Sequence, residues 1–223
     1  MDLMDNAIVM MLLEGIRDTL YMTVFSTLFA YVLGLPLAIC LVLFKKDGLK
    51  PMPAVHSILN FITNILRSVP FLILMILVIP LTKLIVGKSY GSTATIVPLV
   101  VAAAPFVARI IESSLMEVDA GVIEAAQSMG ASVGNIVFKV MIPEAKTSLI
   151  TGATTALVTI LGYSAMAGAV GGGGLGDIAI RYGYMRYQTD MMIITVVLLV
   201  VMVQILQEIG TQIAKRTDKR NIK

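Results

Sequence analysis

Five stretches of this chain carry no Asp, Glu, Lys or Arg: Thr19 to Phe44, Ser68 to Thr82, Ser89 to Ala108, Thr147 to Gly176 and Met191 to Gln207. A helix crossing a bilayer needs about 20 mostly apolar residues, because no water is present to bond its backbone and the helix must satisfy every N–H and C=O itself. The first, third and fourth runs, of 26, 20 and 30 residues, are long enough as they stand. The second has 15 and extends through Leu84 to Val86 when Lys83 snorkels its ammonium to the interface. The fifth has 17 and extends at its polar ends, where Glu208 and Gln212 can sit near the interface. Only 14% of residues are charged, against about 25% in soluble domains. The expected fold is an all-α polytopic membrane protein with five transmembrane helices, one domain over residues 1–223.

Charge placement orients the spans. With five of them, one side collects Lys45, Lys46, Lys50, Arg67, Arg109, Lys139, Lys146, Lys215, Arg216, Lys219, Arg220 and Lys223, twelve of the seventeen basic residues. The other side holds Arg17, Lys83, Lys88, Arg181 and Arg186. The positive-inside rule then predicts the N-terminus outside and the C-terminus in the cytoplasm of a multi-pass protein of the cell membrane. The net charge of +3 calls for no nucleic acid, since these residues flank spans and meet anionic lipid. Cys40 is the only cysteine and lies in an apolar run, which excludes an internal disulfide. His56 is the only histidine and has no second ligand beside it, so no metal site is expected. Asp2, Asp5 and Glu14 stand where a cleavable signal has its positive region, so the mature chain is expected to begin close to Met1.

The longest break from membrane-like sequence inside the chain covers about residues 117–143, on the predicted cytoplasmic side. Asp119 is suited to cap a helix through Ala120 to Ser128, and Gly130 to end it with a positive φ. Ser132 can cap a second short helix to about Val140, with Pro143 and Glu144 in the first turn of the apolar helix that follows. Ala126, Gly130 and Gly134 recur every four residues, which on a helix makes a ridge without bulk; the plain alternative is a solvated loop. Glu124, Ala125, Ala126, Gly130, Val140, Ile142 and Pro143 reproduce a longer pattern: Glu-Ala-Ala, three residues, Gly, nine residues, apolar, any, apolar, Pro. It resembles the EAA motif of bacterial ABC importer permeases.

Elsewhere the chain reads as spans and their edges. Met1 to Asp18 is an expected interfacial segment, Gly34 and Pro36 an expected kink with close packing, and Lys45 to Pro53 a turn. His56 to Leu66 is an expected interfacial helix, after which Arg67 to Pro70 opens the second span and Pro80 bends its far end. Pro98 and Pro105 flank small residues in the third span, read as packing with a hinge as the alternative. Arg109 and Glu112, three apart, can pair and support the start of the Glu124 segment. Gly171, Gly173 and Gly176 match the spacing of a dinucleotide fingerprint, but after a membrane helix rather than a strand they read as a sharp re-entry or close packing. Asp177 to Asp190 is an expected aromatic belt, with contact to a partner protein as the alternative. Lys215 to Lys223 reads as a mobile basic anchor.

No GxxxxGK[ST] loop occurs, since Asp177 follows Gly176 where Lys is required. Nor do the apolar runs hold a carboxylate pair, a Ser/His/Asp set or a metal cluster, so the chain is not expected to be an enzyme. Transport with energy from another chain fits best, and since five helices enclose little, a two-fold pair is expected.

Arg67 to Phe71, Ala102 to Arg109, the Glu124 motif and Gly162 to Met166 through the glycine run together resemble the permease subunit of bacterial methionine ABC importers. The resemblance implies the type I importer permease fold and a homodimer of permease chains. It also implies two cytoplasmic ABC ATPase subunits, which use ATP and Mg while this chain binds no cofactor, and an extracytoplasmic methionine-binding lipoprotein. Glu124, Ala125, Ala126, Gly130 and Pro143 are then the ATPase-coupling residues, with Glu124 as a polar contact and Ala125, Ala126 and Gly130 permitting close approach. Tyr163, Ser164 and Met166 are candidates for the translocation pathway or outer gate, ordinary packing being the alternative. The fifteen methionines say nothing of the cargo. A permease for another small amino acid or osmolyte, a passive channel and a membrane scaffold remain alternatives.

Overall fold

A computed structural model describes residues 2–218, with side chains from residue 6. Most of these residues are helical, and no strand occurs among them. In order they are α1 Asp2–Phe44, α2 Pro53–Ser68, α3 Phe71–Leu77, α4 Ile79–Val86, α5 Ser92–Met116, α6 Ala120–Ser128, α7 Val133–Asn135, α8 Ile142–Glu144, α9 Lys146–Ala167, α10 Gly174–Ile178 and α11 Thr189–Thr217. Wider π turns at Ile136–Met141 and Ala179–Tyr184 continue α7 and α10.

Four stretches are each long and apolar enough to cross a membrane: Asn6–Phe44, Ser92–Met116, Lys146–Tyr184 and Thr189–Thr217. The second expected span is not one helix. Pro80 has no N–H for the carbonyl one turn back and its ring crowds that carbonyl, so the helix is interrupted at Val78 between α3 and α4, although Val78 N–H still reaches Leu74 O and Thr82 N–H reaches Val78 O, each at 2.9 Å. Helices α2 and α3, joined through a 102° bend at Val69 and Pro70, are together long and apolar enough for a fifth span, broken or re-entrant. The residue before a proline is held out of the α region, which ends α2 there.

The chain divides into two compact units. One consists of residues 1–29, 69–103 and 157–207. Its larger apolar cluster gathers Leu161, Leu175, Ile178, Met191 and Met202, with Ile8, Met11, Leu12 and Ile16 packed against it. The spacing of those last four is helical, and the segment before Asp18 is the first turns of α1 itself. A smaller cluster joins Met22, Phe71, Met75, Leu99 and Ala167.

The other unit consists of residues 30–68, 104–156 and 208–223. Here α1 and α5 meet at Gly34, where a Cβ would fall 3.1 Å from both Ala104 O and Ala108 N. Small residues let backbones approach in this way without loss of dispersion contact. Pro36 lies inside α1, which runs on to Phe44. The first turns of α9 pack on α5, with Ser148 Oγ donating to Ser114 Oγ at 3.0 Å and Gly152 facing Ile110. Gly210 of α11 lies against Thr154, a Cβ there falling 2.0 Å from its hydroxyl. Lys219 to Lys223 of the basic tail lie outside the described residues.

Candidate functional site: an exposed elbow and a glycine-lined turn

The elbow is built by local chemistry. Asp119 Oδ1 accepts the Gly121 N–H at 2.7 Å and caps α6. At the other end Ala131 N–H reaches Ala126 O at 3.1 Å and Gly130 N–H reaches Gln127 O at 2.9 Å. This pair of bonds is a Schellman motif, and it requires the left-handed residue at Gly130, φ +77. Ser132 Oγ then accepts the Asn135 N–H at 3.3 Å and starts a second helical run through α7, the π turn and α8. Pro143 belongs to the end of that run, not to the first turn of the next helix. The chain breaks after it at Ala145, φ −77 and ψ 3, before α9 begins. The wide π turn just before Pro143 accommodates a residue that cannot donate to the ladder.

The two arms pack on each other through the inward face of the π turn, where Ile136, Val137 and Met141 are buried. Ala126 is turned inward too, at 4% exposure. The expected ridge of Ala126, Gly130 and Gly134 therefore does not form, because the helix ends between the first and second of these residues. Ala126 serves the packing of the elbow itself. A Cβ built on Gly130 or Gly134 meets nothing within 4 Å, so Gly130 is needed for its backbone angle and not for room. Glu124, Ala125 and Pro143 are exposed. Beside them stand Val122 at 40%, Phe138 at 62% and Met129 at 82% exposure, an apolar set on a polar elbow that the motif did not reveal. An adjacent cavity of about 620 Å³ is lined by Glu117, Asp119, Glu144, Lys146, Thr147 and Arg216 among others.

Arg109 and Glu112 do pair, at 2.7 Å. Arg109 also donates to Asn64 Oδ1 at 2.8 Å and to Asn60, so the pair ties α5 to α2 and makes no contact with the Glu124 segment among these bonds. Asn60 and Asn64 stand four apart in α2, a spacing that was available to find them.

In the other unit the glycine run makes a tight reversal. Helix α9 ends at Ala167, a single 3₁₀ turn follows at Gly168–Val170, and Gly171, Gly173 and Gly174 all take positive φ. The fourth span thus ends as a helix nine residues earlier than its uncharged run. The returning α10 lies against α9 so closely that a Cβ on Gly176 would fall 2.1 Å from Ala165 O, and one on Gly168 2.2 Å from Asp177 N. No strand precedes these glycines and α10 has five residues, which removes the dinucleotide reading. Thr19 pins the reversal: its hydroxyl accepts the Leu175 N–H at 2.9 Å and donates to Gly15 O at 2.8 Å.

The three gate candidates are not equivalent. Ser164 is 1% exposed and donates to Leu161 O at 2.7 Å, so its hydroxyl is spent inside its own helix. Tyr163 is half-buried and stacked on Phe71, with ring centroids 4.7 Å apart. Met166 is 50% exposed. Past the reversal, Arg181 pairs with Asp177 and Arg186 lies 4.5 Å over the Tyr182 ring, while Tyr184 and Tyr187 are exposed.

The family model described as "Binding-protein-dependent transport system inner membrane component" matches residues 30–220. The chain is 51% identical, over 94% of its length and 93% of the relative's, to the "Probable D-methionine transport system permease protein MetI" of Vibrio cholerae. It is 46% identical, over 81% of each chain, to the "Methionine import system permease protein MetP" of Bacillus subtilis. A solved structure of the MetNI methionine ABC transporter in inward facing conformations, its CY5 native crystal form, superposes with a TM-score of 0.94. That match has 43% identity and covers 96% of this chain and 99% of the other. On this match and these identities, the protein belongs to the family of inner membrane components of binding-protein-dependent transport systems.

Proposed function

We propose that this chain is the membrane-spanning permease subunit of an ATP-driven importer that carries methionine, as the D enantiomer, the L enantiomer or both, across the cell membrane. The observation that carries the reading is the 51% identity to a D-methionine permease along nearly the full length of both chains. ATP and Mg are used by two partner ATPase subunits, two permease chains form the pathway between them, and an extracytoplasmic lipoprotein delivers the substrate. The N-terminus lies outside and the C-terminus inside, as the twelve-to-five division of basic residues supports.

Within this reading, α6 and the turn at Gly130 are the element that the ATPase grips. Glu124 and Ala125 are its exposed contacts, Val122 and Met129 supply apolar area, and Ala126, Gly130 and Pro143 hold the shape. Tyr163 and Met166 line the outer gate, and Ser164 supports them from behind. The test is reconstitution in liposomes with the cognate ATPase and binding protein, measuring labelled methionine uptake with each enantiomer as competitor. ATP-dependent uptake that both or one of them suppresses supports the proposal. Assembly without flux would mean a scaffold, and flux without ATP a channel.

A further inference from the structure

Arg109 is the only basic residue of α5 and lies seven residues before the helix ends at Met116. Its side chain is 19% exposed and that of Glu112 13%. Glu112, one turn along the same helix, receives Nη1 at 2.7 Å. Nη2 is given to α2: to Asn64 Oδ1 at 2.8 Å, to Asn60 O at 3.5 Å and to Asn60 Oδ1. Asn60 and Asn64 are one turn apart, so both amides leave the same side of α2, next to the fully buried Thr63. The other side of α2 presents Ile58, Phe61, Ile62 and Ile65, all exposed and at the spacing of one apolar stripe.

A pair this buried is a poor device for stability alone, because desolvating two charges offsets much of their attraction. What a guanidinium adds over an apolar contact is direction. Its planar fork bonds in fixed geometry, so α2 cannot slide or turn along α5 without breaking several bonds at once. Glu112 fixes the fork from its own helix, and the two asparagines receive it. Three residues beyond the end of α5, Asp119 caps α6, so the helix that holds the fork is also one of the two helices from which the elbow hangs.

We infer that Arg109 is a positioning residue that makes α2 follow α5, so that movement of the elbow is passed to a helix that the elbow does not itself join; the inference rests on the importer reading above. The elbow can be gripped without this link, but its motion then reaches α5 and α9, the helices it joins, and not α2. Loss of the fork separates two quantities that a mere packing defect lowers together: ATP hydrolysis and transport per ATP.

The experiment uses the whole complex in proteoliposomes, with hydrolysis and labelled methionine uptake measured in the same vesicles. For Arg109→Gln, hydrolysis is expected to stay within about twofold of the parent while uptake per ATP falls about tenfold, in the range of ordinary coupling energies. Asn60→Ala with Asn64→Ala reproduces the loss while keeping the charge pair, and guards against misfolding of the arginine variant. Arg109→Lys restores little, because an ammonium can meet Glu112 but cannot fork to both amides. Uptake and hydrolysis falling in proportion, or a double asparagine variant that transports normally, overturns the inference. A parent complex with no ATP-dependent uptake overturns the importer reading instead.

Discussion

The ring of Tyr163 lies flat on Phe71, with centroids 4.7 Å apart and planes within 5° of parallel. Phe71 is itself buried among Met22, Met75, Leu99 and Ala167, so it cannot move without disturbing that cluster. Such a pair contributes about 0.5–1.5 kcal/mol beyond area burial. Phe71→Ala frees the tyrosine and is expected to raise the leak of labelled methionine from loaded proteoliposomes without ATP. Phe71→Leu, which keeps most of the apolar volume, leaks less. Equal leak in both variants and the parent would remove the stack from any gating role.

The angle at Gly130 makes a separable prediction from that at Gly134. Alanine at Gly130 meets no atom but must hold φ +77, which costs an L residue about 1 kcal/mol, whereas alanine at Gly134 meets neither obstacle. Gly130→Ala is expected to weaken pull-down of the ATPase subunit from detergent, and Gly134→Ala to leave it at the parental level. Reversal of that order would return the glycines to a role in close approach.

Asp119 and Ser132 cap the two arms with bonds of 2.7 and 3.3 Å. Asp119→Ala should lower stability by about 1 kcal/mol, with Asn in its place restoring most of it. Ser132→Ala should cost less. Limited proteolysis within residues 117–143 reads the effect directly, since frayed ends are cut first.

At the reversal, the atoms facing Gly168 and Gly176 are backbone and cannot move aside. Gly176→Ala is expected to destabilise by about 3 kcal/mol, seen as a large drop in melting temperature in detergent. Gly162→Ala faces open space within α9 and should instead stabilise by about 0.5–1 kcal/mol. The contrast is the check, because both are the same chemical change.

Much of this was legible in the residues. Uncharged runs locate long helices because bilayer length is a hard constraint, and Asp119, Gly130 and Ser132 punctuate the elbow by rules that act over four residues. The split at Val78 was harder to see: hydropathy is continuous from Phe71 to Leu77 and across it, and only the ring of Pro80 divides the helix. The inward turn of Ala126 was hidden for another reason. A repeat of four says which residues share a helical face only while the helix lasts, and this one stops at Gly130. Phe71 and Thr19 act through partners far along the chain, which no local pattern reports.

The bond from Leu175 N–H to the Thr19 hydroxyl joins residues 156 positions apart. Its consequence falls on biogenesis. The first helix to leave the ribosome must wait, inserted but incompletely packed, until three further apolar segments have been made, since the glycine reversal cannot close without it. Nascent chains that stop short of Leu175, in the last quarter of the sequence, lack the partner for Thr19.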